Sequence, residues 1–181
     1  MEDAARFRAV FETTFSRVRR YVHHCGVTGG RADDIVAETY VVAWRRLDDV
    51  PGDDPLPWLL VMARNHWLNQ RRSDRRHRAL VRRVPVPAPV PPPGEPGDLA
   101  PIRQALAALR PAEQEVLRLV AWDDLTPEQA STVLGCSPGA FRVRLHRARR
   151  RLADELAKHS NGSGQVRGET DPVKEVTDDR A

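Results

Sequence analysis

Apolar residues recur at three- and four-residue steps along three stretches of the first 80 positions. Phe7, Val10, Phe11, Phe15, Val18, Tyr21 and Val22 follow such steps, which predicts an amphipathic helix ending near Gly26. After Gly29-Gly30 the chain restarts with Asp33 and Asp34, carboxylates suited to a helix's first turn. Val36, Tyr40, Ala43 and Leu47 then form one stripe, flanked by Ile35 and Trp44. The segment DDVPGDDPLP breaks the pattern, and Pro57 suits the first position of a third helix. Trp58, Leu59, Met62, Ala63 and Leu68 open that helix, which runs on into RRSDRRHRALVRR.

The second half carries sharper signals. Pro111 opens a helix with Val116, Leu117 and Val120 on one side. Thr126 is placed to cap the next helix, with Pro127 at its first position and Gln129 able to close a capping box. Ala130, Val133 and Leu134 give that helix a short apolar face, and Gly135 is suited to a left-handed stop. Ser137 caps a following helix, again with Pro at its first position. Two helices joined by a Gly-containing turn of this length predict a helix-turn-helix. On the second of them Phe141, Leu145, Ala148 and Leu152 share the core side, while Arg142, His146 and Arg149 lie elsewhere, beside Val143, Arg147 and Arg150.

Between the halves lies VPVPAPVPPPGEPGDLAP, residues 84–101, with eight of the fifteen prolines. Proline fixes φ and removes an amide donor, so a polyproline-II linker of at most ~55 Å is expected. A plain tether and a Pro-rich ligand for a partner's groove both fit this composition. Residues 159–181 are polar, lack aromatics and are expected to be disordered.

Charge follows the same divisions. The chain of 181 residues has a net charge of +4. Residues 1–83 carry +5 and residues 102–158 carry +3, while the linker and the tail carry −2 each. Of 29 basic residues 27 are Arg, which fits contacts to phosphate and guanine and equally fits a GC-rich genome. From 71 to 83 seven Arg face one Asp, close to Asn65, His66, Trp67 and Asn69. A solvated helix end and a nucleic-acid track are both open there. The helix from Pro138 has no acid before Asp154, as expected of a helix entering the major groove and also of a solvated basic face.

Several classes are excluded or left without support. No apolar run approaches the ~20 residues that span a bilayer, and the N-terminus lacks a signal-peptide pattern, so a cytoplasmic protein without membrane insertion is expected. Cys25 and Cys136 are too few and too distant for a disulfide framework. His23-His24-Cys25 offers no metal spacing, because adjacent helical residues point apart. No nucleophile constellation, nucleotide loop or cofactor motif is evident, so no enzyme is expected and no cofactor is implied. An all-α fold of two small units is the reading the pattern supports.

Taken together, DDIVAETYVVAWRRL, PWLLVMARNHWLNQRR and LRPAEQEVLRLVAWDDLTPEQASTVLGCSPGAFRVRLHRARRRL resemble the extracytoplasmic-function (ECF) sigma factors. These are two-domain bacterial specificity subunits of RNA polymerase. The resemblance covers about residues 5–83 and 102–157. It implies region 2 over 1–83, which docks on core polymerase and recognises and melts the −10 element. It implies region 4 over 102–158, a helix-turn-helix bundle reading the −35 element. Polymerase docking falls to Asp33, Asp34, Glu38, Trp44 and Arg45. The loop Val50–Pro57 and the next helix serve −10 recognition, with Asn65 near the captured base and His66, Asn69, Arg72 and Arg76 as neighbours. Arg142, Val143, His146 and Arg147 match the −35 reading helix. The partners implied are core RNA polymerase, promoter DNA and, as for many members of the family, an anti-sigma factor. Ala140-Phe141 stands where Thr-Val is usual, and Thr39-Tyr40 where Val-Phe is frequent. A stand-alone helix-turn-helix regulator that dimerises through the N-terminal helices is the alternative.

Overall fold

The computed structural model describes residues 2–80 and 100–162, with side chains over 2–76 and 101–158. Among the described residues every regular element is helical. The first unit is α1 (Glu2–His24), α2 (Gly30–Arg45), a 3-10 turn (Leu47–Asp49) and α3 (Pro55–Leu80). The second is α4 (Ala100–Ala108), α5 (Pro111–Ala121), α6 (Pro127–Leu134) and α7 (Pro138–Gly162).

In the first unit the three helices pack on one another pairwise. Their apolar stripes meet: Val10, Val18, Tyr21 and Val22 of α1, Ile35, Val36, Tyr40 and Ala43 of α2, and Leu59, Leu60 and Ala63 of α3 are all buried. Two buried hydroxyls in this core are satisfied. Thr14 Oγ1 lies 2.9 Å from the Tyr40 hydroxyl, and Thr39 Oγ1 donates to the Ile35 carbonyl at 2.7 Å. Phe7, Phe11, Phe15, Tyr40 and Trp44 form a row of edge and tilted ring contacts. That row runs from the core out to the surface, where Trp44 is 50% exposed.

The third helix corrects the expected pattern. It starts at Pro55, two residues before Pro57, because either proline fits a first turn that needs no amide donor. Its buried stripe is Leu56, Leu59, Leu60, Ala63 and Trp67. Trp58, Met62 and Leu68 are only half-buried. Trp67 therefore belongs to the core and not to a nucleic-acid track; Arg71 stacks over its ring at 5.0 Å.

In the second unit α4, α5 and α6 all pack on α7. Phe141 and Ala148 are fully enclosed, and Leu145 is nearly so. The larger Phe141, in place of the usual family Val, is accommodated entirely inside this core. The linker and tail boundaries move inward. Helix α4 begins at Ala100 with Pro101 in its first turn, and α7 continues to Gly162. Leu152, Glu155 and Leu156 are half-buried along the end of α7, with a 2.7 Å Lys158–Glu155 pair on its surface. The rest of the expected linker and of the expected disordered tail lies outside the described residues.

The stop between α6 and α7 is the sharpest local feature. Gly135 has φ 63° and ψ 43°, and the Cys136 N–H donates to the Ser131 carbonyl at 3.0 Å, the closing bond of a Schellman motif. No atom lies within 4 Å of where a Cβ would stand. A substitution there meets only backbone strain. Gly135→Ala is expected to cost ~1–2 kcal/mol, read as a lowered urea midpoint with helical content retained. An unchanged midpoint would contradict this account of the turn.

Burial pushes the Cys25 thiol up to about 12, which leaves little thiolate at neutral pH. Iodoacetamide at pH 8 and low salt should therefore label Cys25 far more slowly in the native chain than in urea. Equal rates, followed by mass spectrometry, would show that the thiol is not shielded.

Candidate nucleic-acid interface

The −35 candidates all lie on α7. Helical spacing fixes their direction: once Phe141, Leu145 and Ala148 face inward, Arg142, Val143, His146 and Arg147 must face outward, and all four are exposed. Val143, 50% exposed, supplies an apolar surface of the kind that meets a thymine methyl. The helix is launched by a Ser137 cap, whose Oγ accepts from the Ala140 N–H at 3.2 Å. Helix α6, which packs against it, is closed by the expected capping box. Thr126 Oγ1 accepts from the Gln129 N–H at 3.2 Å, and Gln129 Oε1 accepts from the Thr126 N–H at 3.0 Å. The left-handed Gly135 between the two helices sets where α7 leaves the turn.

Sequence reasoning missed one partner on this surface. Glu128 of α6 accepts from Arg142 Nη2 at 2.6 Å. Both side chains are more than half exposed, so the pair contributes little stability and is easily exchanged for another anion. The signal available was only the lone carboxylate in a capped first turn.

The −10 candidates occupy α3. Asn65, Asn69, Arg72 and Arg76 follow steps of four, three and four, and all are exposed along one face. His66 departs from this stripe. It is half-buried, and its Nδ1 lies 2.8 Å from Glu38 Oε2 on α2. One −10 candidate and one docking candidate are thus brought into contact. The basic end of α3 is tied back to α2 as well, because Arg31 donates to both carboxylate oxygens of Asp74 at 3.1 and 2.7 Å. The loop before α3 is pinned by Val50 and Leu56, both buried, and by Arg6, whose guanidinium donates to the Val50 carbonyl at 2.9 Å. Between these anchors residues 51–54 are exposed.

The docking candidates Asp33, Asp34, Glu38, Trp44 and Arg45 are all exposed on α2. Val41, 47% exposed, lies among them, and Phe11 of α1 extends the patch through its ring contacts. Phe11, on the apolar stripe of α1, is 36% exposed. Among the described residues no group of three or more His, Cys, Asp or Glu is placed to hold a metal.

The chain matches the family model for Sigma-70 region 2 over residues 10–77 and that for Sigma-70 region 4 over residues 99–152. It is 31% identical over 141 residues to the RNA polymerase sigma factor NccH of Alcaligenes xylosoxydans xylosoxydans, covering 70% of this chain and 74% of that protein. It is 30% identical over 164 residues to the ECF RNA polymerase sigma factor SigL of Mycobacterium tuberculosis, covering 83% and 88%. Its fold is similar to the sigma factor RpoE of Bartonella quintana, solved with the anti-sigma factor NepR, with a TM-score of 0.67, 25% identity, and coverage of 83% and 96%. It is also similar to CnrH, solved with the cytosolic domain of CnrY, with a TM-score of 0.58, 25% identity, and coverage of 84% and 88%. With both domain types matched in order and full-length relatives at this identity, the chain belongs to the ECF family of RNA polymerase sigma factors.

Proposed function

We propose that this chain directs transcription initiation by dividing promoter recognition between its two units. The observation that carries the reading is the pair of separate exposed tracks, Asn65-Asn69-Arg72-Arg76 on α3 and Arg142-Val143-His146-Arg147 on α7, on domains of matching families. Residues 1–83 dock on core polymerase through Asp33, Asp34, Glu38, Trp44 and Arg45, and read and melt the −10 element with α3 and the loop before it. Residues 102–158 read the −35 element with α7. Residues 81–99, between α3 and α4, tether the two. Val41 and Phe11 extend the docking surface, because an apolar patch ringed by charge is the usual make-up of a protein interface core and rim.

Each unit alone presents a small surface and binds weakly. Tethering makes the second contact intramolecular, which raises overall affinity by ~10²–10⁴-fold without new contacts. Opening the −10 duplex costs a few kcal/mol per unstacked base, and capture of the displaced strand on basic and planar groups offsets it. The chain contributes binding and strand separation only. Phosphodiester chemistry belongs to the polymerase, so the protein is no enzyme and acts in the cytoplasm where the polymerase works. An anti-sigma factor is proposed as a further partner, supported by the two solved relatives, which were each captured with a partner protein.

Two outcomes test the assignments. Arg142→Ala or Arg147→Ala should each weaken −35 duplex binding by ~1–3 kcal/mol, seen as a ~5–150-fold loss in a titration with labelled promoter. Full transcription from a −35-dependent promoter would remove them from the reading surface. Asp34→Arg should reduce retention of core polymerase in a pull-down; it is a cleaner probe than Glu38→Arg, which would also release His66. Undiminished retention would place the docking surface elsewhere.

A further inference from the structure

The outward face of α7 carries two arginines in different circumstances. Among the described residues Arg147 has no ion pair, whereas Arg142 is held through Nη2 by Glu128 Oε1 at 2.6 Å, a contact that crosses from α7 to α6. The carboxylate stands on a fixed platform. Thr126 and Gln129 close the turn that carries Glu128. The Glu128 carbonyl accepts from Ser131 Oγ at 2.7 Å and from Thr132 Oγ1 at 3.2 Å. Ala130, Ser131 and Val133 of the same helix are buried. Glu128 is outside the capping box, and within α6 these bonds use only its backbone. Among the described residues its side chain bonds to Arg142 alone.

A carboxylate at this place opposes DNA binding in general. In a helix-turn-helix the first helix crosses the phosphate backbone, and the first turns of the second helix meet base edges. Glu128 lies in the first turn of that first helix and brings a negative charge toward the phosphates. Its bond to Arg142 supplies a reason for it to be there.

A guanidinium has five N–H donors in one plane. Glu128 engages one nitrogen, and guanine O6 and N7 need two donors. The pair is therefore compatible with a guanine contact. A phosphate, by contrast, competes with Glu128 for the same group, and Arg142 must give up its charge-assisted bond to reach it. An exposed pair adds little stability, yet it biases Arg142 toward the base and against the backbone. Discrimination of this kind works by disfavouring the wrong contact.

We propose that Glu128 is a positioning residue for −35 specificity, whose carboxylate holds Arg142 ready for guanine and withholds it from phosphate. The proposal rests on the promoter reading above and adds to it a residue outside the reading helix. Without Glu128, Arg142 swings to a phosphate wherever the base is wrong, so non-specific binding rises while discrimination falls.

The test uses the full chain with Glu128→Gln, Arg142→Ala and both together, with helicity checked by circular dichroism. Glutamine keeps the size of the side chain and removes its charge, and the backbone bonds of α6 remain. Assembled with core polymerase, each protein selects from a promoter that wild type transcribes, randomised across its −35 element, and the bound duplexes are sequenced. Wild type should show a guanine preference that Arg142→Ala removes, which marks the position Arg142 reads. Glu128→Gln should lower that one preference by ~2–10-fold, the effect of ordering one long side chain, and leave the other positions unchanged. The double variant should match Arg142→Ala. On a duplex without promoter elements, the isolated Glu128→Gln chain should bind more tightly than wild type, with a salt dependence of log K steeper by about 0.9, one added phosphate contact. A guanine preference unchanged in Glu128→Gln, an equal loss at every position, or an unchanged salt slope would each overturn the positioning role. If Arg142→Ala alters no preference, the −35 reading itself fails, and the proposal with it.

Discussion

Enclosure of one side of α7 is the constraint on which the reading surface depends. Phe141 and Ala148 have no exposed surface, and Leu145 has 7%. A helix turns through 3.6 residues, so burying these positions leaves no freedom in where Arg142, Val143, His146 and Arg147 point. The Ser137 cap and the left-handed Gly135 fix where the helix begins. Loss of core packing here would therefore disturb recognition without touching a DNA-facing residue, because the same rotation carries both faces.

The first unit solves a different problem. On the proposed reading it presents a docking face on α2 and a strand-reading face on α3 while holding both on one core. The contact between Glu38 and His66, and the fork of Arg31 on Asp74, bind those two helices together at the surface. Each bond is exposed or partly so and individually weak. Together they keep the basic run of α3 in register with α2. The aromatic row from Phe7 to Trp44 then runs from the buried Tyr40 directly to the docking patch.

Electrostatics serves two ends that compete. Arg72 and Arg76 of α3 and Arg142 and Arg147 of α7 face outward, whereas Arg17, Arg20 and Arg64 face α5 and the loop after it. Net charge conceals this, since both uses draw on the same excess of arginine. A protein that spans two DNA elements gains from a tether, and the same tether allows the units to meet each other.

Much of this was legible in the amino-acid order alone. The apolar and capping signals, including the Thr126–Gln129 box, the Gly135 stop and the Phe141-Leu145-Ala148-Leu152 stripe, are local: each lies within a few residues and acts through one helix's own geometry. The outward direction of Arg142 and its neighbours follows from that stripe. Other features required the assembled chain. Trp67 is core, Phe11 reaches the surface, and Glu128 holds Arg142, although each fits another role by pattern. Arg64 meets Glu115 across 51 positions, and His24 meets Asp123 across 99. Such pairings depend on how helices are placed in space, and the periodicity of a single helix carries no information about which other helix will stand opposite it.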